Sequence, residues 1–333
     1  NSFCTLLVMA ADSGTSLTEV FQFLSNDRAD VRKMAIEGIA TNSMNNAEMT
    51  TFVVDSSSAR EQLLTLLTIK EKPLLGQLLS ALINLSVDAQ LAQLLSESKC
   101  INRVIRLYDS IQREEDSEAL LPLQEMCLML LNNLTASHVA AVNDFLQVDD
   151  EDLQGYNLEV MKTHYDRQSD DTERSQKLWF LKICLNLTRC GEGQKMLVDD
   201  GEWFDEVVSL IANRESEARL ATTAIQIAHH CCAQKALVGT VASKGLASAL
   251  TQRTTCFQSF SASTQLIAME TIEALMTDEA GMQALEEINA KKYFAAFSEI
   301  DSTPKEVREF VKQQLLPFLD DINDVFVANE EDE

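Results

Sequence analysis

Apolar residues recur every three or four positions along most of the chain, which is the spacing of an amphipathic helix. The run that begins at Pro73 places five leucines on one face: Leu75, Leu78, Leu79, Leu82 and Leu85. Proline is tolerated at such a start because the first turn of a helix has no intrahelical partner for that N–H group. Alternating apolar and polar runs that end at hairpin turns would indicate strands, and the sequence has none. The pattern predicts an all-α protein.

The end of that leucine run is a short motif that the chain repeats. Ile83-Asn84-Leu85-Ser86 is followed by Asn132-Asn133-Leu134-Thr135 and by Leu185-Asn186-Leu187-Thr188. Weaker echoes lie around Gly38 upstream and around Gln226 and Ala274 downstream. A period of 40 to 53 residues is typical of proteins built from stacked helical repeats. The expected architecture is therefore a right-handed α-α superhelix, which grows by stacking and needs no division into domains.

The polar stretches between the helical runs suggest the boundaries. Residues 1–15 are expected to be an N-terminal extension or a partial helix, and residues 16–319 to form the repeats. The stretch from about 148 to 175 holds Asp149-Asp150-Glu151-Asp152 and is predicted to be a long acidic insertion. Residues 320–333 are predicted to be an acidic C-terminal tail.

The net charge of −25, from 52 acidic and 27 basic residues, creates a field that repels nucleic acid. It favours a basic protein partner, although an acidic surface also serves simply to keep a protein soluble. The eight cysteines are scattered without a disulfide framework, which indicates a reducing compartment. No apolar run approaches the ~18 residues of a membrane span, so a cytoplasmic location without a membrane partner is predicted.

Two junctions between helical runs carry a resemblance to a known family. Ser86 followed by Ala89-Gln90-Leu91-Ala92-Gln93-Leu94, and Thr188 followed by Gly191-Glu192-Gly193-Gln194, resemble the junction between armadillo repeats. There a long third helix ends in Asn-Leu and a short polar helix opens the next repeat. The run from Gly201 to Ile211 is similar to the second helix of that family. The resemblance covers about residues 16 to 319 and implies an armadillo or HEAT-like solenoid.

A narrower resemblance is to the HGH-one homologue family of armadillo-like proteins. It rests on Leu17-Thr18-Glu19-Val20 with Asp30-Val31-Arg32-Lys33, on Lys177-Leu178-Trp179-Phe180-Leu181, and on Arg219 with His230-Cys231-Cys232. That resemblance implies a chaperone adaptor that assists the folding of elongation factor 2, with chaperonin or heat-shock chaperones as further partners. The alternative is a transport or signalling scaffold that holds an extended basic peptide in an acidic concave groove.

In peptide-binding armadillo proteins the asparagine of the third helix lies in the concave groove. The resemblance therefore implies that Asn84, Asn133 and Asn186, with Gln226 at the next echo, contact a protein ligand. A side-chain amide both donates and accepts hydrogen bonds, so it can pair with an extended peptide backbone. The other interpretation is that these asparagines pack between helices or cap a helix end.

Other kinds of site have little support in the sequence. Importin-type armadillo proteins place tryptophan four residues before the asparagine, where this chain has Ser80, Met129 and Lys182. On a helix, the run from His229 to Cys232 brings only its first and last residues to one face, and structural zinc needs four ligands. Glycine-rich nucleotide loops and hydrolase motifs are lacking. The chain is predicted to be a non-enzyme that uses no metal and no cofactor.

Overall fold

The computed structural model describes residues 17–44, 46–114, 117–168, 176–199 and 202–319. These residues form helices joined by turns, with no strand among them. The chain divides into two compact units, and the boundary in the sequence falls between Asn186 and Leu187. The predicted extension at residues 1–15 and the predicted acidic tail at 320–333 lie outside the described residues.

The first unit contains helices α1 to α10 and all but the last residue of α11. Their bounds are α1 (Leu17–Gln22), α2 (Ala29–Asn42), α3 (Ala47–Asp55), α4 (Ser57–Thr65), α5 (Lys72–Leu85), α6 (Ala89–Glu97), α7 (Cys100–Gln112), α8 (Leu121–Ser137), α9 (Val139–Leu146), α10 (Tyr156–Tyr165) and α11 (Lys177–Leu187). From α3 onward they form sets of three. The third helices α5 and α8 pack on each other, and α2 packs on α5.

The second unit continues the sets of three. Its helices are α12 (Gly191–Asp199), α13 (Glu202–Ala212), α14 (Ala218–Cys232), α15 (Lys235–Ser243), α16 (Leu246–Arg253), α17 (Ala262–Leu275), α18 (Glu279–Glu287), α19 (Ala290–Ser298) and α20 (Lys305–Phe310), followed by a π-helical turn at Val311–Leu315. The third helix α14 packs on α17, and α17 packs on α20. No helix among the described residues combines the length and apolar content needed to cross a membrane.

The leucine face predicted around α5 is the core of the first unit. Leu75, Leu78, Leu79, Leu82 and Leu85 are each at most 1% exposed. Pro73 lies in the first turn of α5, and Pro122 lies in the first turn of α8 after a 3₁₀ turn at Ser117–Leu120. Both prolines therefore mark helix starts, where the missing N–H group costs no hydrogen bond.

The segment assigned from the sequence to an acidic insertion contains a helix of the repeat. Within residues 148–168, α10 buries Leu158, Met161 and Tyr165 and packs on α9. Asn157 donates from Nδ2 to the carbonyl oxygen of Phe145 at 2.9 Å, which fixes the start of α10 under α9. This part of the segment is thus the middle helix of the set α9, α10 and α11, and the acidic run from Asp149 to Asp152 lies in the turn before it.

Two glycines allow close approach at the junctions of the second unit. A Cβ atom on Gly193 would lie 2.0 Å from the carbonyl oxygen of Leu187, and one on Gly281 would lie 2.0 Å from that of Leu275. Each glycine is buried in the first turn of a short helix, α12 or α18, directly after a third helix ends. The Gly191-Glu192-Gly193 stretch therefore opens α12, and the preceding helix ends earlier, at Leu187.

Candidate functional site

The repeated asparagines connect consecutive third helices within the first unit. In each, the amide Nδ2 donates to a hydroxyl oxygen of the preceding repeat. The pairs are Asn84 with Ser43 at 3.0 Å, Asn133 with Ser86 at 3.0 Å and Asn186 with Thr135 at 3.1 Å. The repeated motif in the sequence therefore corresponds to one kind of interhelical hydrogen bond, made three times.

The hydroxyl groups that accept these bonds are buried and also serve their own helices. Ser43 donates to the carbonyl of Ala40, Ser86 to that of Ile83 and Thr135 to that of Leu131, at 2.8 to 2.9 Å. All three hydroxyl residues are at most 3% exposed. The hydroxyl residue two positions after Asn84 or Asn133 thus closes the end of its own helix and receives the asparagine of the next repeat.

The asparagines keep part of their hydrogen-bonding capacity. All three are only half-buried. Asn84 and Asn133 use Nδ2 for the interhelical bond, and no described residue donates to their Oδ1 atoms. An amide oxygen has two acceptor sites, so each of these two can still accept from a partner. The packing role weighed from the sequence is therefore present, and it leaves an acceptor for a ligand.

In the second unit, Gln226 lies one helical turn before the position on α14 that corresponds to the asparagines. There Thr188, two residues after Asn186, hydrogen-bonds through Oγ1 to Nδ1 of His230 at 2.7 Å. His230 therefore takes the place of the asparagine on α14, and Gln226 lies four residues before it, half-buried. The apolar echo around Gln226 misplaced the register because histidine does not resemble the Asn-Leu motif.

One and two turns before each asparagine, the same helices present a row of partly exposed side chains. Residues at i, i+3 and i+7 of a helix share a face. On α5 these are Gln77, Ser80 and Asn84; on α8, Met126, Met129 and Asn133; on α11, Trp179, Lys182 and Asn186. All of them are half-buried except Gln77, which is exposed. We call this surface of the first unit the asparagine face.

Trp179 supplies the aromatic side chain of the asparagine face. Its Nε1 donates to Oε1 of Glu125 on α8 at 3.0 Å, and Nζ of Lys182 lies 4.2 Å from the centre of its ring. Four residues before the asparagines, where importin-type proteins have tryptophan, this chain has Ser80, Met129 and Lys182. Trp179 is seven residues before Asn186, which is the same face two turns away. The heptad spacing was the signal that could have found it.

The His-Cys run of α14 is part of the packing of the second unit. His229 Nδ1 lies 3.3 Å from Oγ1 of Thr271, and His230 contacts Thr188. Cys231 and Cys232 are buried, and burial raises the pKa of the Cys232 thiol to about 12. Thiolates are the metal-binding form of cysteine, so burial works against a metal site. Within the described ranges, no group of three or more metal-ligating side chains comes together.

A buried histidine and a carboxylate meet on α10 and α7. His164 Nε2 lies 3.1 Å from Oδ1 of Asp109, and the ring of Tyr108 packs edge-on against the imidazole at 5.2 Å. Burial lowers the pKa of His164, and the hydrogen bond to Asp109 opposes that shift. Only 3% of the His164 side chain is exposed, so no substrate reaches it in this geometry. The pair anchors α10 to α7.

Comparison with known proteins gives the fold. No protein-family model and no curated protein sequence matches this chain. An engineered protein of known crystal structure superposes with a TM-score of 0.67 at 16% identity over 88% of this chain. A designed armadillo repeat protein in complex with the peptide (KR)4 gives 0.62 at 14% identity over 78% of this chain and 100% of its own. The chain has an armadillo-like fold.

A beta-catenin structure, from work on the phosphorylation-controlled interaction of cadherin with beta-catenin, gives a TM-score of 0.67 at 13% identity over 92% of this chain. The chain spans 66% of the engineered protein and 53% of that beta-catenin chain. The armadillo part of the predicted resemblance is thus confirmed at the level of the fold. The narrower resemblance to the HGH-one homologue family receives no support from these comparisons.

Proposed function

We propose that this chain is a non-catalytic protein-binding solenoid whose asparagine face holds an extended segment of a partner. The observation that carries the proposal is the repetition of that face on α5, α8 and α11. The third helices of three consecutive sets present a half-buried asparagine amide at the same place. Larger apolar side chains precede it by one or two turns: Met126 and Met129 on α8, and Trp179 on α11. A repeated row of this kind suits a chain that runs across successive repeats.

The chemistry of the face suits a peptide segment. The free amide oxygens of Asn84 and Asn133 are acceptors for backbone N–H groups of an extended strand. Met126 and Met129 are flexible and polarizable, which lets one surface adapt to different apolar side chains. Trp179 adds a rigid aromatic anchor, the residue type that most often dominates binding energy at interfaces.

The partner that we favour is a folding client, with this chain as a cytoplasmic chaperone adaptor. The resemblance to the HGH-one homologue family suggests elongation factor 2 as that client, and chaperonin or heat-shock chaperones as further partners. The apolar content of the face on α8 and α11 supports a client held by buried area rather than by charge. The charged residue within the face, Lys182, and the neighbouring Glu125 are both engaged with Trp179.

The second candidate is a transport or signalling scaffold for an extended basic peptide. The net charge of −25 supports it, as does the fold shared with a designed armadillo protein that was solved with (KR)4. The two functions differ in their dependence on salt. Binding of a basic peptide through charge contacts weakens steeply as salt screens them, whereas apolar burial is much less sensitive.

The test uses purified elongation factor 2 and the peptide (KR)4 as probes in a titration. Met126→Gln/Met129→Gln keeps side-chain volume and removes the apolar surface of the face. Met196→Gln/Met282→Gln is the matched control, because those methionines are also half-buried but lie on α12 and α18. The proposal predicts that elongation factor 2 loses at least about tenfold in affinity for the first variant and none for the control.

Equal affinities of the two methionine variants, with unchanged melting curves, would overturn the assignment of the face. Failure of elongation factor 2 to bind, together with salt-sensitive binding of (KR)4 that depends on the asparagine face, would favour the scaffold. Failure of both probes to bind the intact protein would remove both named partners.

A further inference from the structure

A pocket of about 550 Å³ lies at the end of α5, beside the first asparagine of the face. Its lining comes from the end of α2, from Asn46 and the first turns of α3, and from the end of α5 with the turn that follows it. The residues that matter for its chemistry are Ser43, Met44, Asn46, Asn84, Val87 and Asp88. Its volume is within the range of pockets that hold small ligands or large side chains.

The pocket offers an amide oxygen of Asn84 and the carboxylate of Asp88 as acceptors, beside the hydroxyl groups of Thr50 and Thr51 and the amide of Asn46. Ser43 donates its hydroxyl hydrogen to the carbonyl of Ala40 and accepts from the Asn84 amide, so it has no donor left for a ligand. The Oδ1 atom of Asn84 receives no bond from a described residue. Asp88 caps α6 by accepting from the backbone N–H of Leu91 at 2.9 Å, which occupies one carboxylate oxygen. Asp88 is exposed and forms no ion pair with any described residue, and no basic residue lines the pocket.

Two large apolar side chains that line the pocket are exposed to solvent. Met44 is 66% exposed and Val87 is 78% exposed, and each directly follows the hydroxyl residue that ends a third helix. Single exposed apolar residues are common on protein surfaces. Here two of them line the same pocket as an unpaired carboxylate, so the pocket combines an apolar wall with a negative charge.

We propose that this pocket binds an arginine side chain of the partner, at the end of the segment that lies on the asparagine face. The inference rests on the proposed function and names the side chain that the face selects. The methylene stem of arginine would cover Met44 and Val87, as long basic side chains do on apolar surfaces. The guanidinium group would pair with the free oxygen of Asp88 and with Oδ1 of Asn84.

The choice of arginine follows from the presence of two acceptors in one pocket, the carboxylate of Asp88 and the amide oxygen of Asn84. A guanidinium group has five donors in a planar fork, so it can reach a carboxylate and an amide oxygen together. A lysine ammonium group is a compact charge that does not share this planar match. An anionic side chain would face the charge of Asp88 with no base in the pocket to offset it.

The experiment compares two probe peptides, one of alternating arginine and alanine and one with citrulline in place of every arginine. Citrulline keeps the shape of arginine and removes its charge. The variant Asp88→Asn keeps the helix cap, since asparagine caps as well as aspartate, and removes the carboxylate. The control is Asp278→Asn, because Asp278 is also an aspartate that caps a helix, α18, by accepting from the backbone N–H of Ala280 at 3.0 Å.

The intact protein is expected to bind the arginine peptide about tenfold or more tightly than the citrulline peptide. Asp88→Asn should abolish most of that ratio, and Asp278→Asn should retain it. Three results would each contradict the proposal. They are an unchanged preference for the arginine peptide in Asp88→Asn, an equal loss of that preference in both variants, and no preference in the intact protein.

The methionine variants keep this outcome separate from that of the proposed function. Suppose that Met126→Gln/Met129→Gln no longer binds elongation factor 2, while Asp88→Asn still prefers the arginine peptide to the citrulline peptide. The asparagine face is then supported, and the arginine pocket is contradicted. In the opposite case, Asp88→Asn loses its preference for the arginine peptide, while the methionine variant binds elongation factor 2 and (KR)4 normally. The pocket then binds arginine independently of the asparagine face, and the proposed function is contradicted.

Discussion

The Nδ2 atom of Asn133 lies 3.0 Å from the Oγ atom of Ser86, which precedes it by 47 residues. The same bond joins Asn84 to Ser43 and Asn186 to Thr135. A residue expected to meet a ligand therefore also joins neighbouring repeats. The asparagine and the hydroxyl residue two positions later recur together because they serve two successive junctions. The asparagine donates to the preceding repeat, and the hydroxyl group accepts from the asparagine of the next repeat.

Replacing Asn133 with alanine should destabilise the fold. The change removes the donor to the buried Ser86 hydroxyl and a second bond to the carbonyl of Ile83 at 3.4 Å. We expect the free energy of unfolding to fall by about 1 to 2 kcal/mol, the usual cost of a lost hydrogen bond to a buried group. Urea unfolding measures it. Gln77→Ala, an exposed residue of α5, should change stability by less than about 0.5 kcal/mol. A similar loss in both variants would contradict the interhelical role.

Alanine at Gly193 or Gly281 should be poorly tolerated. The added Cβ would collide with the carbonyl oxygen of Leu187 or Leu275 at 2.0 Å, so the junction must open. We expect a loss of about 2 to 3 kcal/mol in each variant. Gly191→Ala is the matched control, because its Cβ would meet nothing closer than 3.9 Å. Thermal unfolding of the three variants decides the matter, and a normal melting temperature for Gly193→Ala would contradict the close approach.

The histidine that replaces asparagine on α14 should make stability depend on pH. Burial, and then the neighbouring His229, lower the pKa of His230 below its ordinary value of 6.5. The unfolded chain therefore binds more protons as pH falls below about 6.5, and the free energy of unfolding decreases in that range. Above that pH the imidazole is neutral in both states and the penalty is absent.

His230→Asn should reduce this loss, because asparagine can donate to Thr188 at any pH, as Asn186 does to Thr135. The measurement is urea unfolding of the two proteins between about pH 7.5 and pH 5.5. His164, whose pKa is also lowered by burial, should leave a residual slope in the variant. Identical slopes for wild type and variant would show that His230 does not titrate as described.

The cysteines should differ in reactivity under native conditions. Cys100, Cys127, Cys184, Cys231 and Cys232 are buried, whereas Cys190 and Cys256 are partly exposed. Burial raises the pKa of the Cys100 thiol to about 12, which removes the reactive thiolate at neutral pH. Brief alkylation with iodoacetamide, followed by peptide mass spectrometry, should label Cys190 and Cys256 before any of the five. Early labelling of Cys100 would contradict the packing of α7.

The sequence predicts the all-α fold well because its apolar spacing is strong and local. The leucines of α5 and the helix start at Pro73 are where the pattern indicates. The middle helix α10 was missed, because it follows an acidic turn and its buried polar residues, Asn157 and His164, hide the apolar stripe. Their partners, Phe145 and Asp109, lie on neighbouring helices and are brought close only by folding.

The candidate site is harder to predict because it depends on register between helices. Asn84, Asn133 and Asn186 are recognisable as a repeated motif, but their hydroxyl partners 41 to 51 residues earlier become apparent only in three dimensions. The sequence does not reveal His230 as the counterpart of the asparagines, because histidine differs from the repeated motif. Trp179 was missed because it lies two turns, not one, before Asn186. The pocket beside Asp88 combines two turns that the sequence separates by a whole repeat.

The most direct test of the central claim is site-specific photocrosslinking from the asparagine face. A photoreactive amino acid would replace Met129 on the face, and in a second protein Gln93, an exposed residue of α6 that lies outside it. Both proteins would be mixed with elongation factor 2 and illuminated, and the adducts would be mapped by mass spectrometry. The account predicts adducts to one extended client segment from position 129 and none from position 93. Equal labelling from both positions, or labelling from position 93 alone, would contradict it.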